Sequence, residues 1–297
     1  MIVVIPMAGA SSRFINEGYK PKYMLELTPG YTLFDAAVKS FEEFFGDAIF
    51  LFVTNSLEAT LWVESRLSKL DSLKDYKIVT LDGVTKGQAE TVYLGLKESY
   101  KDLILYENMS AVSDKAFYDK YKNLLVIFNI DTIRHNFKRD LDAFLESYCN
   151  LSDDADISNI ALFDAIYDTD ADQSKWSFCM CQGGSRGSDK LINRKILKTA
   201  EKEKIGPWCS TGLYIFPSVI SYFDIYIKAA TAQYGVSEST KVYDYYIAPL
   251  YNVLIDDKFQ VGLTQDVTSY VLECDRDDVE FAGVPADYER LKSKYVR

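Results

Sequence analysis

The chain has 297 residues, 48 % of them hydrophobic, with 22 Tyr and 17 Phe, enough for a sizeable core built as one large α/β domain or two small ones. With 44 acidic against 33 basic residues its net charge is −11, which makes nucleic acid and anionic membrane poor partners by bulk field. Any anionic substrate must therefore be held by a local cluster of basic groups.

Residues 2–5 (IVVI) are apolar without alternation, the pattern of a parallel strand buried on both faces. The strand feeds a small, flexible loop, Ala8-Gly9-Ala10-Ser11-Ser12-Arg13, and the pair Lys20 and Lys22 follows around Pro21. Backbone N–H groups of such a loop can face an anion that Arg13 and Lys22 would neutralise. Neither usual phosphate-loop pattern is present: G-x-x-x-x-G-K-[ST] is absent, and Gly9 stands alone where G-x-G-x-x-G needs more. Helical spacing of Leu33, Phe34, Ala37, Val38, Phe41, Phe44 and Phe45 predicts a helix over 32–45. Residues 48–54 read as a second buried strand, and Ser56 caps a helix to about residue 70 with Glu58 in its first turn. A third strand over 77–81 leads through Lys86-Gly87 into a helix over about 88–100. Strands alternating with helices imply βαβ units and a mostly parallel sheet.

Residues 101–122 are polar, tyrosine-rich and without period, the pattern of a surface insertion with a short helix over 115–121. A core strand over 124–128 ends at Asn129-Ile130-Asp131, and 137–148 is amphipathic. Short strands at 160–163 and 176–180 flank an Asp-rich turn over 164–172, and 182–189 reads as a mobile loop. Further strands are expected at 191–199, 212–216 and 259–263, and helices at 219–234 and 244–256. No linker, repeat or low-complexity tract divides the chain. The five cysteines (Cys149, Cys179, Cys181, Cys209, Cys274) lack a C-x-x-C and read as buried thiols of a reducing cytosol. No basic n-region precedes the first apolar run and no apolar stretch reaches about 18 residues, so neither a leader nor a membrane span is expected in this cytoplasmic protein. The many tyrosines could serve the core or an interface, which leaves a homo-oligomer open.

Five strings carry a family resemblance. Gly9-Ala10-Ser11-Ser12-Arg13-Phe14 with Pro21-Lys22 comes first, then Gly87-Gln88-Ala89-Glu90-Thr91-Val92, then Phe128-Asn129-Ile130-Asp131-Thr132. Glu201-Lys202, ten residues before Thr211-Gly212-Leu213-Tyr214, and Gly283-Val284-Pro285-Ala286-Asp287-Tyr288 complete the order. Together they resemble the sugar-phosphate nucleotidyltransferases (pyrophosphorylases). The N-I-D-T, W-S-F and S-T-G-L-Y-I-F strings resemble a branch found with bacterial capsule and surface-polysaccharide enzymes. The resemblance implies a Rossmann-like, mostly parallel central sheet flanked by helices, with a smaller acceptor-binding subregion of short strands. It implies one domain, nucleotide-binding over about 1–135 and acceptor-binding over about 136–297. The implied reaction moves a nucleoside monophosphate from a pyrimidine triphosphate (CTP, UTP or dTTP) to a sugar 1-phosphate or a non-sugar phosphate, with Mg²⁺ and release of pyrophosphate.

Such a protein has to align two anions, hold a divalent cation and stabilise developing charge. By resemblance, Arg13 grips the β- and γ-phosphates beside the backbone of Ala8, Gly9, Ala10, Ser11 and Ser12, and Lys22 contacts the α-phosphate. Their plain readings are a surface arginine on a first helical turn and a solvated loop lysine; Lys20 matches no motif position and belongs to the rim. Asp131 becomes the metal ligand, or else caps a turn before Thr132. The family's second metal carboxylate falls at Phe281, a departure that Glu280 or Asp278 could offset. Gly87, Gln88 and Thr91 face the base, or else Gln88 and Thr91 simply open a helix with Glu90. Glu201, Lys202, Thr211 and Gly212 become the acceptor site, unless 201–204 is a solvated charged run or the register slips to Glu203-Lys204. Trp176 and Trp208 could stack on a ligand, although large aromatics more often belong to cores, and the single His135 reads as structural. Two rival readings remain: a non-catalytic nucleotide-binding regulator, suggested by Phe281, and a nucleotide-sugar glycosyltransferase, against which Asn129-Ile130-Asp131 offers one acid where D-x-D has two.

Overall fold

With no polar residue in Ile2-Val3-Val4-Ile5, both faces of the first strand have to be covered, and they are. The computed structural model describes residues 1–109, 121, 123–150, 156–183, 194–231, 246–256 and 266–296. In chain order the strands are β1 (Ile2–Pro6), β2 (Glu26–Thr28), β3 (Tyr31–Thr32), β4 (Ile49–Thr54), β5 (Asp75–Thr80), β6 (Leu125–Phe128) and β7 (Thr132–Arg134). They continue with β8 (Ile160–Tyr167), β9 (Ser177–Cys181), β10 (Ile196–Glu201), β11 (Trp208–Phe216), β12 (Thr268–Glu273) and β13 (Val279–Phe281). The α-helices are α1 (Ser12–Asn16), α2 (Leu33–Lys39), α3 (Leu57–Leu67), α4 (Gln88–Met109), α5 (Phe137–Cys149), α6 (Val219–Thr231), α7 (Tyr251–Ile255) and α8 (Pro285–Tyr295).

The large sheet runs β10-β9-β11-β6-β1-β4-β5, with β8 beside β11 and β12 beside β8. Strands β6, β1, β4 and β5 are parallel, and β12 is parallel to β8. Around β11 the second half is antiparallel. Side chains alternate across the sheet, so one face collects Val4, Leu51, Val53 and Ile127 against α4, α6 and α7. The other collects Val3, Ile5, Phe50, Phe52 and Phe128 against α2, α3 and α5. Since β1 is followed by β4 on one side and neighboured by β6 on the other, the order reverses between β1 and β6. That reversal opens a crevice at the carboxyl ends of the two strands.

Several expectations are shifted. The helix expected over 32–45 stops at Lys39, after a Thr32–Asp35 capping box, and a 3-10 turn covers Glu42–Phe44. Ser56 does cap α3, accepting from the Ala59 amide at 3.2 Å. Helix α4 runs on to Met109, so part of the expected insertion is helical; the helix expected over 115–121 lies almost wholly outside the described residues. The loop at 182–189 lies outside beyond Gly183, as do the strand at 259–263 and the first residues of the one at 191–199. The strand at 160–163 continues through Tyr167, and Asp164 is a fully buried strand residue instead of the start of a turn. Of two expected helices, 219–234 is helical through Thr231, beyond which it lies outside the described residues, and the described part of 244–256 holds a 3-10 turn (Ala248–Leu250) and α7. Cys149 is exposed on α5, whereas the other four thiols are buried; all five are free. No described helix is long and apolar enough to cross a membrane.

Candidate active site

A cleft of about 470 Å³ lies over the carboxyl ends of β1 and β6, the size of an ordinary small-molecule site. Its wall takes Gly9, Arg13 and Lys22 from the first loop, Gly87 and Gln88 from the start of α4, and Asp131 from the end of β6. The second half of the chain adds Glu201, Thr211 and Gly212. A smaller recess of about 200 Å³ is shared by Gly9, Ser11, Lys22, Gly87, Gln88, Thr91 and Asp131. Residues spread over two hundred positions therefore meet in one place. Four basic side chains (Arg13, Lys22, Lys86, Lys175) face three acids (Asp131, Glu201, Asp287) on this wall, against the strongly acidic balance of the whole chain.

The first loop is fixed from behind. The Met7 amide donates to Val53 at 2.7 Å, and Asn55 Nδ2 holds the buried Ala8 carbonyl at 3.0 Å. Ser11 adopts φ +50° at the start of α1; its hydroxyl receives the Lys22 amide at 3.4 Å instead of capping the helix, which ties the lysine loop to the glycine loop. A Cβ on Gly9 would meet nothing within 4 Å, so the fold itself does not require glycine there. Ala8, Ala10 and Ser12 do not line the cleft: Ala8 is buried, and the other two point to solvent. Arg13 is exposed and makes no ion pair among the described residues. Lys22 Nζ lies 2.6 Å from Asp131 Oδ2, both side chains about one-fifth exposed.

At the start of α4, Gln88 Nε2 donates to Asn129 Oδ1. Thr91 is 2 % exposed and its hydroxyl donates to the Gly87 carbonyl at 2.9 Å, so in this state it shapes the loop that precedes it. Glu90 accepts the Lys86 amide at 2.6 Å in the same loop. These bonds satisfy the helix-opening reading of Thr91 and Glu90, while Gln88 alone of the pair also reaches the larger cleft.

Across the cleft, Glu201 pairs in register with Ser177 across β9 and β10, and the Ser177 hydroxyl donates to its carboxylate. Burial pushes the Glu201 carboxyl up, with the Ser177 hydrogen bond and Lys202 working against that. Lys202 is not among the side chains that line the cleft; it takes a left-handed conformation (φ +54°), with Nζ 2.7 Å from the hydroxyl of the cleft-lining Tyr246 and over that ring. A slip of register to Glu203-Lys204 is not what forms, because Lys204 Nζ turns away to the Thr169 and Ala171 carbonyls. Thr211 is buried, and its hydroxyl donates to Asp164. Gly212 has φ +87°, and a Cβ there would stand 2.5 Å from Asn129 Nδ2. Behind both, the fully buried Arg134 forks onto Asp164 with two 3.0 Å bonds and reaches Asp140 at 2.8 Å. Burial works against the Arg134 charge, but Asp164 outweighs it and raises the arginine's pKa.

Phe281 lines the cleft as the ladder partner of Thr132. Its neighbour Glu280 faces the other way, to Lys294 (2.7 Å) and His135 (3.8 Å), as alternation along β13 demands. Asp278 is held by Arg139 and Asn136. Neither therefore replaces the missing acid, and His135 has the structural surroundings expected of it. Among the described residues no group of three His, Cys, Asp or Glu side chains could hold a metal. Magnesium nevertheless needs only one or two carboxylates when phosphates complete its shell, and Asp131 offers that hard oxygen in the cleft, so the residues present fit a phosphate-borne ion. Trp208 is core, 1 % exposed, whereas Trp176 lines the cleft. Sequence reasoning missed the site roles of Lys175, Asn129, Tyr246 and Asp164, which come from four separate segments whose meeting no local pattern reveals.

No family model matches the chain, and no curated protein matches it. Among solved structures it is similar to the nucleoside-diphosphate-sugar pyrophosphorylase from Vibrio cholerae RC9, with 32 % identity, a TM-score of 0.70 and coverage of 98 % of this chain and 99 % of that one. The inositol-1-phosphate CTP transferase from T. maritima shares the fold at 18 % identity (TM-score 0.58, 99 % and 95 % covered). A UDP-glucose pyrophosphorylase complexed with UDP-glucose does so at 13 % (TM-score 0.60, 99 % and 98 % covered).

Proposed function

The chain belongs to the sugar-phosphate nucleotidyltransferases, the nucleoside-diphosphate-sugar pyrophosphorylases, and from that premise we propose how its cleft does the work and on what. The protein is a nucleotidyltransferase: a phosphate oxygen of the acceptor attacks the α-phosphorus of a nucleoside triphosphate, the bond to the β-phosphate bridging oxygen breaks, and pyrophosphate leaves. The observation that carries the residue assignment is the convergence of Arg13, Lys22 and Asp131 on one cleft, with Lys22 and Asp131 2.6 Å apart. Arg13, without an ion pair of its own among the described residues, binds the leaving phosphates. Lys22 leaves Asp131 for the α-phosphate and stabilises the charge that builds there. Asp131 would hold magnesium, which when bound would polarise the phosphoryl oxygens.

Gln88, steadied by Asn129, reads the edge of the base, a pyrimidine by the family resemblance, in the recess it shares with Gly87 and Thr91. Glu201 accepts from an acceptor hydroxyl, Lys202 beside Tyr246 meets its phosphate, and Thr211 and Gly212 shape the floor between them. The setting is the cytoplasm, and the product is an activated building block for surface polysaccharide. The test is pyrophosphate release by purified protein given Mg²⁺, each of CTP, UTP and dTTP, and a panel of sugar 1-phosphates; silence with every pair sinks the reading.

A further inference from the structure

Resting on the nucleotidyl-transfer reading, we infer that Arg134 and Asp164 are positioning residues for the reaction: acting through Thr211, they hold the Gly212 bulge at a fixed place relative to Asp131. Neither side chain lines the cleft, and both are fully buried. Arg134 ends β7, the strand that follows Asp131, and its fork meets both carboxylate oxygens of Asp164 at 3.0 Å. Asp164 sits in β8 where that strand loses step with β11. Ala165 pairs with Ser210 and Phe163 with Tyr214, so Asp164 alone stands opposite Thr211, Gly212 and Leu213. The Thr211 hydroxyl donates to Asp164 Oδ2, the same oxygen that accepts from Arg134 Nε. One buried oxygen therefore joins the strand after Asp131 to the bulge that presents Gly212 to the cleft.

The bulge is held from two sides. From the β6 side, the Asn129 amide donates to the Gly212 carbonyl and the Thr132 hydroxyl to the Thr211 carbonyl, each at 3.0 Å. On the β8 side the ladder is interrupted over the bulge, and the Asp164 carboxylate takes its place. A buried ion pair is a poor means of gaining stability, because taking both charges out of water costs about what their attraction returns, and apolar residues of similar volume often serve as well. What the ions add is direction, since a bidentate fork admits one orientation of its two groups. Asp140, 2.8 Å from Arg134 Nη2, holds the guanidinium from α5 and confirms that orientation. Loss of the fork would thus leave the strands paired and the nucleotide contacts in place, while the acceptor floor shifts against the α-phosphate. A misplacement of about 1 Å is enough to cost on the order of a hundredfold in rate.

The experiment is steady-state pyrophosphate release by the full chain with Mg²⁺, using the triphosphate and sugar 1-phosphate that wild type turns over best. The double variant Arg134→Met/Asp164→Leu removes both charges together, and Asp140 keeps Arg139 as a partner. Its kcat should fall about a hundredfold, whereas the Kd for the triphosphate, read by calorimetric titration, stays within about twofold of wild type. Full stoichiometry in that titration shows that the loss is not a fraction of unfolded chains. Thr211→Val keeps both ions and cuts only the bond from the fork to the bulge, so it should lose kcat to a similar degree, and Thr211→Ser should recover most of it. Adding Thr211→Val to the double variant should lower kcat little further, because both changes interrupt one chain of contacts. Should the double variant not fold, the Val and Ser variants of Thr211 decide alone. Wild-type kcat in Thr211→Val, losses that multiply when the changes are combined, or nucleotide affinity falling in step with kcat overturns the inference and leaves nucleotidyl transfer intact. No turnover by wild type with any pair overturns the functional reading and this inference with it.

Discussion

Lys22 and Asp131 cancel each other's charge across 2.6 Å; in the mechanism proposed above a ligand parts them and each then serves a different partner. Both are partly solvated, so losing the pair costs the fold little, whereas losing either group removes stabilisation that matters only in the transition state. Lys22→Ala and Asp131→Asn should each lower kcat by about 10²–10³-fold, with the melting temperature within a few degrees of wild type. Pyrophosphate assays beside thermal unfolding decide this, and near-native rates in either variant would remove these residues from the mechanism. Glu201 makes a prediction of opposite character. Burial raises its carboxyl pKa in the fold, so the native state binds the proton more tightly than the unfolded chain does. The stabilising share is complete below the ordinary carboxylate range and is lost as pH rises through the raised value. Glu201→Gln, which cannot titrate, should therefore gain stability relative to wild type on going from acid to neutral pH. Parallel melting curves for the two proteins between pH 4 and 7 would contradict this (about the window in which a raised carboxyl titrates).

At the scale of elements, β11 decides the shape of the acceptor floor. Its pairing with β8 slips between Ser210 and Tyr214, and the Ser210 and Thr211 hydroxyls receive the amides of Gly212 and Leu213 at 3.0 and 3.3 Å. Gly212 takes φ +87° in that bulge, and the Asn129 amide then donates to its carbonyl at 3.0 Å. Gly212→Ala combines a strained backbone with a Cβ 2.5 Å from Asn129 Nδ2, so it should cost about 1–3 kcal/mol of stability and loosen the Gln88–Asn129 contact. Denaturant unfolding reads the first effect and nucleotide KM the second; wild-type values for both would mean that the bulge accommodates a side chain. The same element marks what sequence could disclose. The parallel strands β1, β4 and β6 were legible because a strand buried on both faces has to be apolar throughout. The segments that place the site were not. Two- and three-residue strands such as β3, β7 and β13 carry no period. A buried acid such as Asp164 makes sense only with Arg134, thirty residues earlier and invisible as a partner until the strands pair. Motif strings named Arg13, Lys22, Asp131 and Glu201, which the cleft brings together, without any pairing, whereas that the Thr211 and Thr91 hydroxyls are engaged within the fold emerges only once the elements are assembled.

For the whole molecule, the decisive fact is that one sheet carries both halves of the chain. Strand β11, from the second half, lies between β6 of the first half and β8 and β9 of the second, and the cleft draws side chains from both. Opening the acceptor side would expose the β6 edge and with it the Asp131 end of the nucleotide side, so binding and unfolding should be coupled across the full length. A triphosphate with Mg²⁺ that binds only the native state adds about 2.7 kcal/mol of stability at a hundred times its Kd. Calorimetry should accordingly show one transition that moves as a unit, furthest with one pyrimidine triphosphate and little with ATP or GTP. Two transitions, of which only one responds to nucleotide, would mean that the halves melt separately despite the shared sheet. A purine shift equal to the pyrimidine shift would instead detach the recess beside Gln88 from base selection, since Gln88 is the side chain there proposed to read the base edge.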